Sequence, residues 1–282
     1  MTFARVPIAS EDPNMHFWKY HGLGNDFIIV DRCGQPDFTP EQTRALCDRH
    51  TGIGADGILG YFVASAAPGE PELPRMRVYN SDGSVADMCG NGLRCFAGWL
   101  VDTGRADLAP FTVLTDAGPQ RCTPMRPHVG PMQVRVNLGR PEFEPTTTVE
   151  VDGRHFEGVP ARVGNPHFVM VRPADSNEAV AFGHRLSTHA RFPRGANIEW
   201  LEVRDPRSAT LVVWERGCGL TRACGTGGGA AASVAVKLGL MSPGVPLAVT
   251  LPGGTLTYEL ESDLGAVWMT GPAERVFEGD VA

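Results

Sequence analysis

The feature that most constrains this chain is an internal duplication. "GNDFIIV" (Gly24 to Val30) is a turn leading into a β-branched strand, and "GNPHFVMV" (Gly164 to Val171) repeats its form. "GADGIL" from Gly54 is echoed by "GANIEW" from Gly195. "RMRVYNSDGSVADMCGNG" (Arg75 to Gly92) parallels "TLVVWERGCGLTRACGTG" (Thr210 to Gly227), which sets Asn80 against Glu215 and Cys89 against Cys224. "VLTDAG" from Val113 answers "VTLPGG" from Val249. Four matches occur in one order, and the interval between partners hardly changes. Self-similarity of that kind describes a structural unit built twice.

Each half therefore predicts a strand, a turn, a short helix (Pro40 to His50; Ala181 to Ala190), further strands, a Cys-Gly-x-Gly turn, a long apolar helix and more strands. The fold class is α/β of the α+β kind, in two pseudo-symmetric halves. "CFAGWLVDTG" (Cys95 to Gly104) and "GGGAAASVAVKLG" (Gly227 to Gly239) carry the long helices. Neither has a polar face, so the strands of its own half must wrap it. The stretch from Cys122 to Pro145, rich in proline and glycine, is where the chain passes between halves. The expected boundaries are 1–134 for the half with Cys89 and 135–270 for the half with Cys224. Residues 1–14 are expected to be a loose extension.

Two cysteines hold matching places in the halves, and each opens a helix. There the unpaired backbone N–H groups and the helix dipole favour negative charge. That setting is expected to lower a thiol from its usual ~8.5 toward neutrality, and the same N–H groups can hold a carboxylate. A carbon acid held between two such thiols can lose a proton to one and regain it from the other, with inversion. Asn25, Asn80, Asn165 and Asn197 add neutral donors and acceptors, and Glu215 and Arg216 one charge of each sign. The set suits a zwitterionic amino acid better than a phosphate or a sugar.

Composition narrows the field. The chain has 282 residues and a net charge of −7, which argues against nucleic acid or an anionic membrane as partner. No apolar run approaches the ~20 residues of a membrane span, and the first residues lack the apolar core of a signal peptide. The seven cysteines include no C-x-x-C pair, against a disulfide framework or a zinc ribbon and in keeping with a reducing cytoplasm. Cys33, Cys47, Cys95, Cys122 and Cys218 read as structural. The two lysines, Lys19 leading into the first strand and Lys237 ending the helix opened by Cys224, are poorly placed for a pyridoxal Schiff base. Gly52, Gly54 and Gly57 spell G-x-G-x-x-G, but they follow a helix and precede a strand, the reverse of a dinucleotide site. No cofactor and no metal are expected.

Taken together, "HGLGNDF", "YNSDGSVADMCGNG", "GNPH", "ANIEW", "ERGCGLTRACGTG" and "LPGG" resemble the diaminopimelate epimerase family, in the family's order and from about Met15 onward. The resemblance implies a β-barrel-like mixed sheet around a central helix in each half, with the last strand, 271–282, returning to the first. It implies a cofactor-independent isomerase that interconverts LL- and meso-2,6-diaminopimelate on the lysine and cell-wall route, in the cytoplasm. Cys89 and Cys224 match the catalytic pair. Gly90, Asn91, Gly225 and Thr226 match the positions that bind the reacting carboxylate. Asn25, Asn80, Asn165, Asn197, Glu215 and Arg216 match the other substrate contacts, Arg216 facing the distal carboxylate. His167 and Glu215 match positions that tune the thiols. The expected partner is the small-molecule substrate, with no nucleic acid or membrane, and a homodimer is compatible. The chain departs from the family's commoner pattern at Gly57, at Cys218 and in "LTRAC". The nearest competing readings are a racemase for another amino acid and a non-catalytic amino-acid-binding protein.

Overall fold

A computed structural model describes residues 15–65, 67 and 69–281; the extension expected over residues 1–14 lies outside them. The chain divides into two compact units, one formed by the residues up to Val136 with those from Pro272 onward, the other by Asn137–Gly271. In the first, β1 (Met15–Gly22) and β2 (Asn25–Asp31) form a hairpin, and α1 (Pro40–Cys47) crosses to β3 (Gly57–Ser65), parallel to β2. After β4 (Glu72–Asn80) and the short β5 (Val85–Ala86), α2 (Gly90–Asp102) crosses to β6 (Phe111–Thr115), parallel to β4. The antiparallel β7 (Gly118–Met125) and β8 (Met132–Asn137) follow.

The second unit repeats this plan. After β9 (Glu142–Phe143) and β10 (Thr147–Val151), β11 (Arg154–Val163) and β12 (Asn165–Val171) form the hairpin, and α3 (Ser176–Ser187) crosses to β13 (Asn197–Asp205), parallel to β12. Then come β14 (Ser208–Glu215), β15 (Gly219–Leu220) and α4 (Gly225–Lys237), which crosses to β16 (Leu247–Leu251), parallel to β14. β17 (Gly254–Leu260) and the long β18 (Val267–Val281) close the series. The later residues of β18 pair antiparallel with β1, from His21↔Glu274 to Met15↔Val281. A helical crossover is the usual way to join parallel neighbours, and each unit uses one twice.

Strand register carries the duplication down to single residues. Phe27 pairs with Gly57 and Ile29 with Leu59 in the first unit; His167 pairs with Asn197 and Val169 with Glu199 in the second. The apolar faces pack on both sides of each sheet. Outside, α1 covers Ile28, Ile58 and Tyr79, and α3 covers Phe168, Met170 and Trp200. Inside, α2 buries Leu93, Phe96, Trp99 and Leu100 among β1, β2, β4 and β7.

Local chemistry sets the helix ends. Thr39 caps α1 with a full capping box to Gln42, and Asp48 ends it by accepting from the backbone of His50 and Thr51 at 2.9 and 2.6 Å. That stop comes before the expected His50. Asp175 caps α3 by accepting from Asn177 N at 2.8 Å, so this helix starts at Ser176 rather than Ala181. Lys19, expected ahead of the first strand, lies inside β1; it is buried against Asp26 at 2.6 Å and also donates to the carbonyl of Gly54. The alternation of "MHFWKYHG" signals β1 but is interrupted by a charged residue that only pairing makes tolerable.

Helix α4 runs against intrinsic preference. Glycine costs about 1 kcal/mol per helical position relative to alanine, yet Gly227, Gly228 and Gly229 fill its first turns. A Cβ at Gly228 would lie 2.2 Å from Tyr258 Oη, whose hydroxyl donates to Gly225 O at 2.8 Å. One at Gly229 would lie 2.9 Å from Leu138 Cδ1. Close approach of the wrapping strands wins over propensity.

Two outcomes follow for stability. Gly228→Ala is expected to destabilise the protein by about 2 kcal/mol in urea denaturation, the usual cost of forcing a methyl into a full core. Asp26 is the second. Burial acts to raise its pKa, but Arg49 and Lys19 outweigh it and hold it at about 2 against an ordinary 3.8. Its stabilising contribution is thus complete above 3.8 and is lost as pH falls toward 2. Asp26→Asn is expected to lower stability at neutral pH and to flatten the acid limb of the stability–pH curve in that window.

Candidate active site

Both long helices are capped by cysteine. Cys89 adopts an extended backbone (φ −136°, ψ 118°), and its Sγ accepts from Gly92 N at 3.4 Å. Cys224 does the same (φ −122°, ψ 109°), accepting from Gly227 N at 3.4 Å. The backbone ladders begin only with Leu93 N→Cys89 O (2.7 Å) and Gly228 N→Cys224 O (3.0 Å). The N–H groups of residues 90 and 91, and of 225 and 226, therefore precede the ladder, as the first N–H groups of any helix do. A sulfur and a cluster of backbone donors open each helix.

In the first unit a chain of side chains fixes the surroundings of Cys89. Arg94, wholly buried, donates from Nη1 to Asn91 Oδ1 at 2.9 Å; Asn91 Nδ2 donates to Asn25 Oδ1 at 3.1 Å; Asn25 Nδ2 donates to Asp56 Oδ2 at 2.7 Å. Because guanidinium only donates and carboxylate only accepts, the two ends of this chain set the orientation of both amides. Arg49 then bridges Asp56 Oδ1 (2.8 Å) and Asp26 Oδ1 (2.6 Å). Asn80 ends β4 and donates to Ser84 Oγ at 2.9 Å. The structure brings Asn25, Gly90 and Asn91 together at the start of α2; it gives Asn80 a place in the neighbouring β4–β5 turn.

In the second unit, Asn197 Oδ1 accepts from the backbone N of Arg216 at 2.9 Å, tying the start of β13 to the end of β14. Glu215 Oε1 accepts from Thr221 Oγ1 at 2.6 Å. Arg216 is exposed; its stem lies over Gly195, where a Cβ would meet Arg216 Cδ at 2.7 Å, and its Nη1 donates to Arg194 O at 2.6 Å. Thr226 Oγ1 lies 3.7 Å from Cys224 Sγ. Asn165 is the exposed first residue of β12, after Gly164, whose added Cβ would lie 4.0 Å from Thr226 Cγ2. His167 is fully buried, with Nδ1 2.6 Å from Glu199 Oε1.

One expectation is reversed. A helix start by itself brings a thiol toward neutrality, but Cys224 is raised well above the ordinary value. Desolvation is the main cause, and the negative charges of Glu215 and Glu199 add to it. The Gly227 N–H and the Thr226 hydroxyl pull the other way and lose. Burial inside the sheet, which no local pattern reports, decides the sign.

Sequence reading missed Arg94, Asp56 and Glu199. The first two stand beside flagged residues, in "CGNGLRC" and "GADG". Glu199 carried a clearer signal, a carboxylate in the run "NIEWL", where the strand is buried on both faces. Among the described residues no group of three or more His, Cys, Asp or Glu side chains is placed to hold a metal ion. Among them, too, no helix is long and apolar enough to cross a membrane.

Comparison with known proteins agrees with this geometry. The family model described as diaminopimelate epimerase matches residues 17–144 and 160–276. The diaminopimelate epimerase of Ectopseudomonas mendocina is 39% identical over 282 residues, covering 95% of this chain and 99% of that protein. That of Pseudomonas syringae pv. syringae is 40% identical over 283 residues, with the same coverage of 95% and 99%. Among solved structures, a Bacillus anthracis phenazine biosynthesis protein of the PhzF family superposes with a TM-score of 0.73 at 17% identity, over 95% of this chain and 99% of that one. A hydroxyproline epimerase from Agrobacterium vitis gives 0.71 at 14% identity, over 96% and 91%. These two likenesses concern the fold. By the family model and by identity along nearly its whole length, this chain belongs to the diaminopimelate epimerase family.

Proposed function

We propose that the protein interconverts LL- and meso-2,6-diaminopimelate by moving one proton at the α-carbon between two thiols, without a cofactor. The observation that carries this reading is the paired cysteine caps: two sulfurs at equivalent helix starts, each beside backbone donors able to receive a carboxylate. Family membership supports the substrate.

In one direction, the thiolate of one cysteine removes the α-proton and becomes a thiol. The electron pair passes into the carboxylate, whose growing charge the helix N–H groups stabilise. The other cysteine, as thiol, delivers its proton to the opposite face and becomes the thiolate. Nothing is oxidised or reduced; the configuration inverts and the two sulfurs exchange states. Inversion demands that both reach one carbon from opposite sides. Gly90, Asn91, Gly225 and Thr226 hold the reacting carboxylate. Asn25, Asn80, Asn165, Asn197 and Glu215 hold the ammonium groups and orient the chain. The exposed fork of Arg216 receives the distal carboxylate, a bidentate role that lysine does not fill. The product serves lysine and cell-wall precursor synthesis in the cytoplasm.

Cys89→Ala and Cys224→Ala are each expected to abolish incorporation of solvent deuterium at the α-carbon of LL-diaminopimelate, read by NMR or mass spectrometry; undiminished incorporation in either variant overturns the assignment. Arg216→Ala is expected to lower kcat/KM for diaminopimelate by about a hundredfold, on the scale of a lost charge-assisted bidentate contact. A panel of monocarboxylate amino acids measured alongside separates this reading from a racemase of another specificity, because Arg216→Ala would leave such a substrate largely unaffected.

A further inference from the structure

The duplication supplies its own control for each position behind the two sulfurs. Strand register places Leu59 of β3 where β13 has Glu199, and Phe27 of β2 where β12 has His167. The equivalence holds at the atoms. A Cβ added at Gly92 would lie 3.1 Å from Leu59 Cδ2, 3.3 Å from Cys89 Cβ and 3.5 Å from Cys89 Sγ. One added at Gly227 would lie 3.1 Å from Glu199 Oε1, 3.1 Å from Cys224 Sγ and 3.3 Å from Cys224 Cβ. The carboxylate oxygen and the sulfur of the second unit thus flank one point, no farther from each other than twice that distance. Behind Cys89 the same place is filled by a leucine methyl.

The first unit demonstrates that the fold needs only apolar side chains here. The second instead buries a carboxyl and an imidazole, both wholly inside, and leaves Glu199 Oε2 and His167 Nε2 without a hydrogen-bond partner among the described residues. A buried ion pair with unsatisfied atoms is a poor way to gain stability, since well-packed apolar residues do as well or better. Its placement against a thiol gives it another use.

We propose that Glu199, held by His167, is a positioning residue for Cys224: its carboxylate keeps that sulfur in the S–H form, so that the two units present chemically unequal thiols. The proposal rests on the two-thiol reading above and assigns Cys224 the proton-donating role at rest. Burial, with the charge of Glu215 in the same sense, leaves the Glu199 carboxyl above its ordinary value, and the charge and hydrogen bond of His167 act against that rise. The titratable groups seen to act at the start of α4 include Glu215 at the end of β14, whose charge acts on Cys224 in the same sense, and Tyr258 on β17, which donates to Gly225 O. Glu215 closes the second unit's β14 strand, while Glu199 lies within the strand beneath the helix.

The test needs no substrate. The full-length protein is alkylated with a small haloacetamide over a pH series, and modification of the Cys224 and Cys89 peptides is followed separately by mass spectrometry. Glu199→Gln keeps size and a hydrogen bond to His167 but removes the charge. It is expected to move the Cys224 limb to lower pH while the Cys89 limb stays in place. At a fixed mildly alkaline pH, Cys224 then reacts about tenfold faster, because its thiolate fraction rises by about that factor. Glu199→Asp, with the charge drawn back by one methylene, is expected to move the limb the same way by less, and decides the matter if Glu199→Gln does not fold. Loosening of the helix would raise the plateau rate without moving the limb. A Cys224 limb that stays put or moves to higher pH overturns the proposal. Retained deuterium exchange in Cys224→Ala would instead overturn the two-thiol reading, and the alkylation limb reports on Glu199 in either case.

Discussion

A sulfur accepting the third N–H of a buried helix, the last before the backbone ladder begins, is the contact on which each unit depends. It does at a helix start what serine or aspartate ordinarily does, but with a group that can also exchange a proton with carbon. The cap fixes the thiol against the helix axis, beside the N–H groups that precede the ladder in the same turn. A thiol and a set of backbone donors are therefore placed together by one local structure, and the rest of the unit serves to hold it.

Holding it requires a helix wrapped by strands on nearly every side, and that demand explains the composition of the two helices. In α2 the wrap is aromatic, with Trp99 and Phe96 against Tyr61 and with Arg105 lying 4.7 Å over the Trp99 ring. In α4 it is close-packed, with glycine and alanine letting Tyr258 and Leu138 approach the helix backbone. The same architecture thus tolerates opposite solutions to packing, large side chains on the helix or large side chains on the sheet.

Two copies of one plan need not do identical work. The amide chain from Arg94 to Asp56 belongs to the first unit, and the carboxyl–imidazole pair to the second. Asp56, His167 and Glu199 lie far along the chain from the cysteines, while the crossovers and the parallel registers are shared.

What the sequence determined by itself was the duplication, the two cysteine turns and the identity of most side chains around them. These are local strings with fixed spacing, and spacing along the chain survives folding. Strand β1 was harder to read because Lys19 breaks its alternation, and α3 because its cap, Asp175, precedes any apolar repeat. Only the tertiary structure decided the state of the Cys224 thiol. The helix start favours its anion, but desolvation and two nearby carboxylates outweigh that preference. Burial and charge are sums over neighbours contributed by β12, β13 and β14, strands distant in sequence, and no window along the chain contains them.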